Sequence, residues 1–279
     1  MILDRVARGA AARLARRRAA PALHPHGVRC HGTLEVPGGV LAAGGGWEVP
    51  WLDRPGTYPV SVRWSRALGL PGRLPDGFGL AVRVPDPEGL GRGRDAGGPE
   101  PSGRGLGAGG SDPSGRGPGA EERGMDLDLL FTSSGPGRLT RHLPLPRVEP
   151  LAGPYSTLLS YRVGARERVL ALFPAAGGTD PTGELPALRG ALARGPVRFD
   201  LRAAAPDEPW RTMATLTLHD LRTDAARVSY DPYVNCLPTL HPTRRLRGLR
   251  IAAYAGSRAG RGGPRPDPIT HRAAHERES

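Results

Sequence analysis

The chain has 279 residues, of which 38% are hydrophobic and 24% are charged, and this is enough for one large domain or two small ones. No apolar run reaches the roughly 18 residues that a transmembrane helix needs. Charged residues interrupt residues 1–20, so we expect neither a membrane span nor a signal peptide. Two cysteines, Cys30 and Cys236, cannot form a disulfide framework, which favours a cytoplasmic location; a single bridge stays open as an alternative.

The formal net charge of +12 is typical of a nucleic-acid-binding protein. However, all 39 basic residues are arginine, the chain has no Lys or Gln, and Asn235 is its only Asn. This skew indicates genomic base composition, and no zinc-ligand spacing or RNP-like aromatic motif accompanies the charge. We therefore predict no nucleic-acid partner.

Three helices are predicted. The first spans residues 3–20, within an N-terminal arm of residues 1–23, and we expect it to pack on the domain rather than on a membrane surface. The second helix is predicted from the spacing of Leu185, Leu188 and Leu192, and it ends at Gly195. The third helix runs from about residue 242 to residue 261.

Short runs of β-like sequence recur between these helices. Several alternate between apolar and polar positions, as in Val60, Val62 and Trp64, so each indicates a strand with one buried face. About eight such strands predict a mainly β protein of the α+β class, an antiparallel barrel or sandwich with flanking helices. The runs are 32–36, 59–67, 78–84, 127–132, 156–163, 197–203, 213–220 and 227–230.

Residues 85–124 interrupt this pattern. Gly, Pro, Ser and Arg dominate the segment, and it contains no Val, Ile, Phe, Tyr or Trp, so we predict a disordered insertion that forms a surface loop. The tail, residues 262–279, is expected to be disordered as well. The predicted domain is therefore residues 24–261.

Tyr254 lies among arginines on the third predicted helix. Arg250 precedes it by one turn, and Arg247, Arg258 and Arg261 follow the same stripe at three- or four-residue steps. Nearby positive charge favours phenolate over phenol, and a phenolate is a good ligand for ferric iron. From spacing alone, an ordinary solvated basic helix face is the better interpretation.

Three histidines, His24, His26 and His31, lie just before a predicted strand. The absence of a CxxC pair and of an HExxH motif argues against zinc. One neutral imidazole could act as a general acid–base, although a lone histidine is more often structural. Arg63 and Ser65 alternate on a nearby strand, so they share a face where a cation and a hydroxyl meet.

Four segments, in the same order, resemble the haem catalases. His24-Pro-His-Gly-x-x-x-x-Gly-x-x-Glu-Val resembles the distal-histidine segment of that family. Val62-Arg-Trp-Ser and the LPDGFGLAVRV sequence resemble the next two core strands, and MDLDLLFTSS is similar to the strand that follows. The proximal segment of the family is matched, in order, by YDPYVNCLP, by His241-Pro, and by Arg250-Ile-Ala-Ala-Tyr254 with Arg261 seven residues on. The resemblance covers residues 24–261 and implies a catalase-like antiparallel β-barrel.

On the distal side of a haem b cofactor, the resemblance implies His24 as the catalytic acid–base and Ser65 as its hydrogen-bonding support. Arg63 would bind a haem propionate. The family's distal Asn, which orients peroxide, is absent, and Thr132 or Ser133 would substitute for it poorly.

On the proximal side, the resemblance implies Tyr254 as the axial ligand of the haem iron. Arg250 would hold the Tyr254 oxygen as phenolate, and Arg261 would bind the other propionate. An anionic axial ligand and an imidazole on the opposite face agree with the chemistry of peroxide cleavage.

Two further departures from the family weaken the expected haem anchoring. The arginine three residues before the distal His is Pro21 here, and the arginine after the core Asp is replaced near Asp76 by Phe78. We also expect no long threading arm and no extra C-terminal domains of the kind that large catalases have. We therefore do not assume the tight tetramer of large catalases, and a smaller homo-oligomer stays open.

The leading hypothesis is a haem enzyme that reacts with hydrogen peroxide or organic hydroperoxides, with weak dismutation and an unidentified electron donor. The rival is a repurposed barrel without peroxide activity that binds another ligand. A phosphodiesterase that uses the arginine cluster ranks last, because the carboxylate and histidine spacing of a hydrolytic metal site is absent.

Overall fold

The computed structural model describes residues 26–37, 45–67, 74–89, 125–175, 185–221 and 228–243. The predicted helix at residues 3–20, most of the 85–124 insertion and the tail at residues 262–279 lie outside these ranges, as do residues 244–261 of the third predicted helix. Within the described ranges, no helix is long and apolar enough to cross a membrane.

The described residues form ten strands and an α-helix. The helix α1, Leu185–Arg194, confirms the second predicted helix. The strands are β1 His26–Val36, β2 Gly56–Arg66, β3 Phe78–Val84, β4 Leu127–Ser133, β5 Tyr155–Ser156, β6 Tyr161–Val163, β7 Arg166–Pro174, β8 Val197–Ala204, β9 Arg211–Leu221 and β10 Leu240–Pro242.

Eight of these strands close into an antiparallel barrel. Neighbours round the barrel follow the order β1, β2, β3, β4, β5, β7, β8 and β9, and β9 pairs again with β1. Strand β6 forms a hairpin with β7, and β10 pairs with β6, so these two extend the wall beyond the barrel. The predicted mainly β barrel of about eight strands is therefore confirmed.

Side chains fill the interior of the barrel. Trp64, Tyr155 and Phe199 meet edge to face, with ring centroids 5.8 to 6.4 Å apart. The Trp64 indole N–H donates to the Tyr155 hydroxyl at 3.0 Å, and that hydroxyl donates to the Pro150 carbonyl at 2.7 Å. These bonds satisfy two polar groups that would be costly to bury unpaired.

Two of the predicted strands are wrong, and two observed strands were not predicted. The run at 156–163 is two strands, because a turn that places Leu158 at φ 59 separates β5 from β6. Strands β7 and β10 were not predicted, and in β7 the centre, residues 169–172, is buried on both faces and shows no alternation. Residues 228–230 form no strand, so the run at 227–230 fails over its described part.

Candidate functional site

Strands β1 to β4 present one continuous outer face that carries three of the predicted site residues, Arg63, Ser65 and Thr132. Gly27 of β1 is opposite Ser65 of β2, Ser65 is opposite Gly79 of β3, and Gly79 is opposite Thr132 of β4. Their neighbours Trp64 and Phe131 belong to the barrel core, so this row faces outward. We call this surface the β1–β4 outer face.

The same register brings Ser65 and Thr132 together, although they are far apart in sequence. Adjacent strands lie about 4.8 Å apart, so two strand spacings separate the backbones of these two residues. Ser65 is 3% exposed, and its hydroxyl donates to the Gly79 carbonyl at 3.3 Å. Its oxygen can still accept a hydrogen bond from a group above the face.

Arg63 belongs to the next row along the strands, with Arg29 on one side and Ala81 on the other. A Cβ atom on Gly27 would lie 3.1 Å from the Arg63 guanidinium carbon and 2.8 Å from the Trp64 carbonyl oxygen. The Arg63 guanidinium therefore lies over Gly27. A side chain at position 27 would push it away and fill the space beside Ser65.

The remaining predicted site residues lie outside the described ranges. These are His24, which precedes β1, and Arg250, Tyr254 and Arg261. Their roles stay predictions, and the described part of the site consists of Arg63, Ser65 and Thr132.

A third row on the same face carries a buried ion pair that the sequence analysis did not identify. Arg83 Nε and Nη2 donate to the two carboxylate oxygens of Asp128, each at 2.7 Å. The Asp128 side chain is fully buried. Burial raises the pKa of the Asp128 carboxyl, whereas Arg83 and Asn235 act in the opposite direction.

Asp128 also fastens the segment 228–237 to the barrel. Its Oδ2 accepts hydrogen bonds from the Asp231 backbone N–H and the Asn235 side-chain amide, both at 2.7 Å. The Asp128 backbone N–H donates to the Asn235 carbonyl at 2.9 Å. The only asparagine of the chain therefore has a structural role here. A charged residue inside the apolar run LDLLF was the sequence signal that could have indicated this anchor.

Tyr230 lies over the β1–β4 outer face next to this anchor. Its ring centroid is 5.3 Å from the guanidinium carbon of Arg83, and its hydroxyl is 3.5 Å from the Ser61 hydroxyl. Burial raises the pKa of Tyr230, and the positive charges of Arg29 and Arg83 lower it by a smaller amount. At neutral pH the phenol keeps its proton and can donate it in a hydrogen bond.

The core acid Asp76 has an arginine partner in spite of the substitution at Phe78. Arg66 of β2 places its Nε 3.4 Å from Asp76 Oδ2, and both side chains are buried. The Arg66 guanidinium carbon is 5.8 Å from the Phe78 ring centroid. A neighbouring strand therefore supplies the counter-charge beside Asp76.

Metal ligands are not grouped in the described part of the chain. Within the six described ranges, no set of three His, Cys, Asp or Glu side chains lies close enough together to hold a metal ion.

Comparisons with known proteins identify the fold. No family model and no curated protein matches the chain. A bacterial catalase matches with a TM-score of 0.56 and 11% identity over 87% of this chain and 57% of its own. A fungal catalase matches with a TM-score of 0.53 and 11% identity, over 87% and 58%. Catalase A from Saccharomyces cerevisiae matches with a TM-score of 0.52 and 10% identity, over 87% and 60%.

This chain spans less than two thirds of the length of each of these three catalases. At such low identity the similarity concerns the fold and not the activity. The chain therefore has a catalase-like fold.

Proposed function

We propose that this chain binds haem b above the β1–β4 outer face and reacts with hydrogen peroxide or an organic hydroperoxide. The observation that carries the proposal is the arrangement of Arg63, Ser65 and Thr132 on that one face of a catalase-like barrel. These are the described residues that the resemblance had selected from the sequence.

The residues present on this face fit a flat, dianionic cofactor. Gly27, Gly79 and Ala81 form a floor of small residues, and a Cβ atom on Gly27 would collide with the backbone at Trp64. Arg63 supplies a fixed cation beside this floor, suited to a carboxylate of the cofactor. A planar ring with two propionates matches both the shape and the charge.

Bound haem would supply the redox-active iron. Two electrons from a donor and two protons would then convert each hydrogen peroxide molecule into two waters. His24 would act as the acid–base that moves a proton from one oxygen of hydrogen peroxide to the other. Ser65, through its hydroxyl oxygen, would accept a hydrogen bond from the imidazole and so keep the ring oriented.

Tyr254 would supply a phenolate oxygen as a ligand for the iron of the haem. Arg250, one helical turn earlier, would stabilise the negative charge on its oxygen, and Arg261 would bind a propionate. Thr132 has one hydroxyl where an asparagine would offer an amide with two N–H donors. We therefore expect weak dismutation and a greater dependence on an external electron donor.

The test is reconstitution of the purified protein with haem, followed by absorption spectroscopy. The wild type should give the Soret band of tyrosinate-ligated ferric haem, and Tyr254→Phe should abolish that spectrum. Tyr58→Phe is the control, because Tyr58 is a buried tyrosine whose hydroxyl donates to the Trp51 carbonyl. Protein that stays colourless after haem addition contradicts the proposal and favours the repurposed barrel.

A further inference from the structure

We propose that the loop formed by residues 134–148 binds the surface of an anionic lipid bilayer. The inference goes beyond the proposed function and does not depend on haem. Among the described residues, seven large hydrophobic side chains are exposed, and four of these lie in this loop: Leu139, Leu143, Leu145 and Val148. We call these four side chains the apolar patch. Such a concentration of exposed apolar side chains on one short segment indicates an interaction surface.

The three leucines of the apolar patch lie close together. Leu139 and Leu143 are 81% and 52% exposed, and they flank the single 3₁₀ turn Thr140–His142. Residues four apart in a helical turn are about 6 to 8 Å apart along its axis. A Cβ atom on Gly135 would lie 3.4 Å from Leu145 Cδ1 and against the first residue of the same turn. The three side chains therefore surround one turn.

The usual distribution of charged and apolar residues is reversed in this loop. Arg141 is 3% exposed, and its guanidinium carbon is 5.0 Å from the Trp210 ring centroid. Arg147 is half-buried, and its Nη2 donates to the carbonyls of Ser134 and Pro154. These two arginines hold the loop in shape, while the leucines are left in water. Exposed leucines beside buried arginines point to a partner outside the domain.

The backbone of this loop is already paired over much of its length. Between residues 141 and 147, every backbone N–H donates a hydrogen bond within the protein, and the two remaining residues are prolines, which have no N–H. An unpaired backbone group is costly in lipid, where no water can satisfy it. These residues can therefore enter the boundary of a bilayer without losing hydrogen bonds from their N–H groups.

The charge of the loop matches an anionic surface. Residues 134–148 include three arginines and neither Asp nor Glu, and Arg138 is exposed. Among the described residues, Arg141 and Arg147 bond to backbone carbonyls and not to a carboxylate. Burial lowers the pKa of both guanidinium groups, but arginine keeps its charge at neutral pH. The lipid headgroups would supply the missing negative charge.

The experiment measures binding of the chain to vesicles by cosedimentation. One set contains phosphatidylglycerol mixed with phosphatidylcholine, and the other contains phosphatidylcholine alone. The wild type should bind the anionic vesicles in preference to the neutral ones. Leu139→Ser/Leu143→Ser should weaken this binding by about tenfold or more, because two apolar side chains no longer enter the bilayer. Arg138→Gln should weaken it by about fivefold, the effect of one charge near the surface.

Met125→Ser is the matched control. Met125 is 49% exposed, but it precedes β4, whereas the 134–148 loop follows the other end of that strand. This variant should bind vesicles like the wild type. All variants should keep the melting temperature of the wild type, because substitutions of exposed side chains change stability little. No binding of the wild type to anionic vesicles, equal binding to the two vesicle types, or equal binding by the wild type and the double leucine variant overturns the inference.

Trp210 reports which face meets the bilayer. Its indole N–H donates to the Pro136 carbonyl of the loop at 2.8 Å. It is half-buried, and the other three tryptophans of the chain are fully buried: Trp47, Trp51 and Trp64. Anionic vesicles with brominated acyl chains should quench the fluorescence of the wild type and not that of Trp210→Phe. Equal quenching in both proteins would place another face on the bilayer and overturn the inference.

A second copy of the chain is the alternative occupant of the apolar patch. Sedimentation velocity without vesicles tests it over a range of protein concentrations. The wild type and Leu139→Ser/Leu143→Ser should sediment alike if the patch binds lipid. Self-association of the wild type that the double variant loses would make the patch a contact between copies, and it would overturn the lipid proposal.

Discussion

Arg83 and Asp128 are cross-strand partners on β3 and β4, and their side chains form a bidentate ion pair with both N–O distances at 2.7 Å. The pair lies between the barrel wall and the segment 228–237, whose backbone and only asparagine side chain bond to the same carboxylate. One buried charge therefore joins two strands to a segment that is more than 100 residues away in sequence. Because the neighbouring residue Asp231 is bonded to Asp128, Tyr230 lies against the β1–β4 outer face.

We expect Asp128→Asn to destabilise the protein strongly. The amide keeps the shape of the carboxylate but removes its charge, so the partly buried Arg83 guanidinium loses the fully buried partner of its bidentate pair. Breaking such a pair from one side costs about 3 to 5 kcal/mol. Urea unfolding measures the effect, and near-ultraviolet circular dichroism reports the loss of fixed packing around Tyr230.

Asp126→Asn is the matched control for this experiment. Asp126 also lies near Arg83, with an N–O distance of 3.7 Å, but its side chain is 38% exposed. Surface pairs of this kind contribute about 0 to 1 kcal/mol. Similar losses of stability in the two variants would show that Asp128 has no special role as an anchor.

Gly27→Ala should disturb the outer face directly. The new methyl group would lie 2.8 Å from the Trp64 carbonyl oxygen and 2.9 Å from the Ser65 Cβ atom, and neither can move without shifting β2. Overpacking of this kind costs about 1 to 3 kcal/mol. Thermal unfolding should show the loss, and haem binding should weaken because the floor beside Arg63 is no longer flat.

Gly190→Ala provides the comparison for the glycine variant. Gly190 lies inside α1, where the added methyl would approach only the flexible end of the Arg194 side chain, at 3.3 Å. Removing a glycine from a helix interior stabilises it by about 0.5 to 1 kcal/mol. A Gly27→Ala protein as stable as Gly190→Ala would refute the close contact at Gly27.

The sequence was sufficient for the barrel but not for the anchor. The predicted strand at residues 78–84 has the same limits as the observed strand β3. A turn sequence marks its start, and the strand pairs with a neighbour on each edge. Strand β7 was missed because a strand buried on both faces has no two-residue period. The role of Asp128 depends on Asp231 and Asn235, and no local pattern predicts which distant segment will cover a strand.

In the candidate site, too, local sequence pattern predicts some features, whereas others depend on how distant strands pair. Alternation along β2 was enough to place Arg63 and Ser65 on one face. The placement of Ser65 and Thr132 in one row depends on the register of β2, β3 and β4, which is set by two separate ladders of backbone hydrogen bonds. Thr132 was therefore identified by resemblance rather than by physical pattern.

Glu208 should make stability sensitive to acid. A hydrogen bond from Arg168 is the main cause that lowers the pKa of the Glu208 carboxyl, from 4.5 to about 2. Because the folded state has the lower pKa, its contribution is fully present above pH 4.5 and is lost as the pH falls from 4.5 towards 2. With allowance for solvent screening, this contribution is about 2 kcal/mol.

Glu208→Gln should therefore lower the free energy of unfolding at pH 7 and flatten its decline between pH 4.5 and pH 2. Urea unfolding across this pH range measures both effects. Asp207→Asn is the neighbouring control, since the Asp207 side chain is 71% exposed and bonds only to Arg166 among the described residues. An unchanged pH profile in Glu208→Gln would argue against the ion pair with Arg168.

Thr132 offers the sharpest test of the distal face. Thr132→Val keeps the shape of the side chain but removes its hydroxyl, so a peroxide above Ser65 would lose a hydrogen-bond donor. Thr132→Asn adds an amide with two donors at the same place. If the haem proposal is right, oxygen release from hydrogen peroxide should rise in Thr132→Asn and fall in Thr132→Val. A change of about tenfold in either direction corresponds to one hydrogen bond that forms with the reacting group.

Both variants should keep the Soret spectrum of the wild type, because Thr132 is not a ligand of the iron. Equal oxygen release in the three proteins, with haem bound in each, would exclude Thr132 from contact with peroxide.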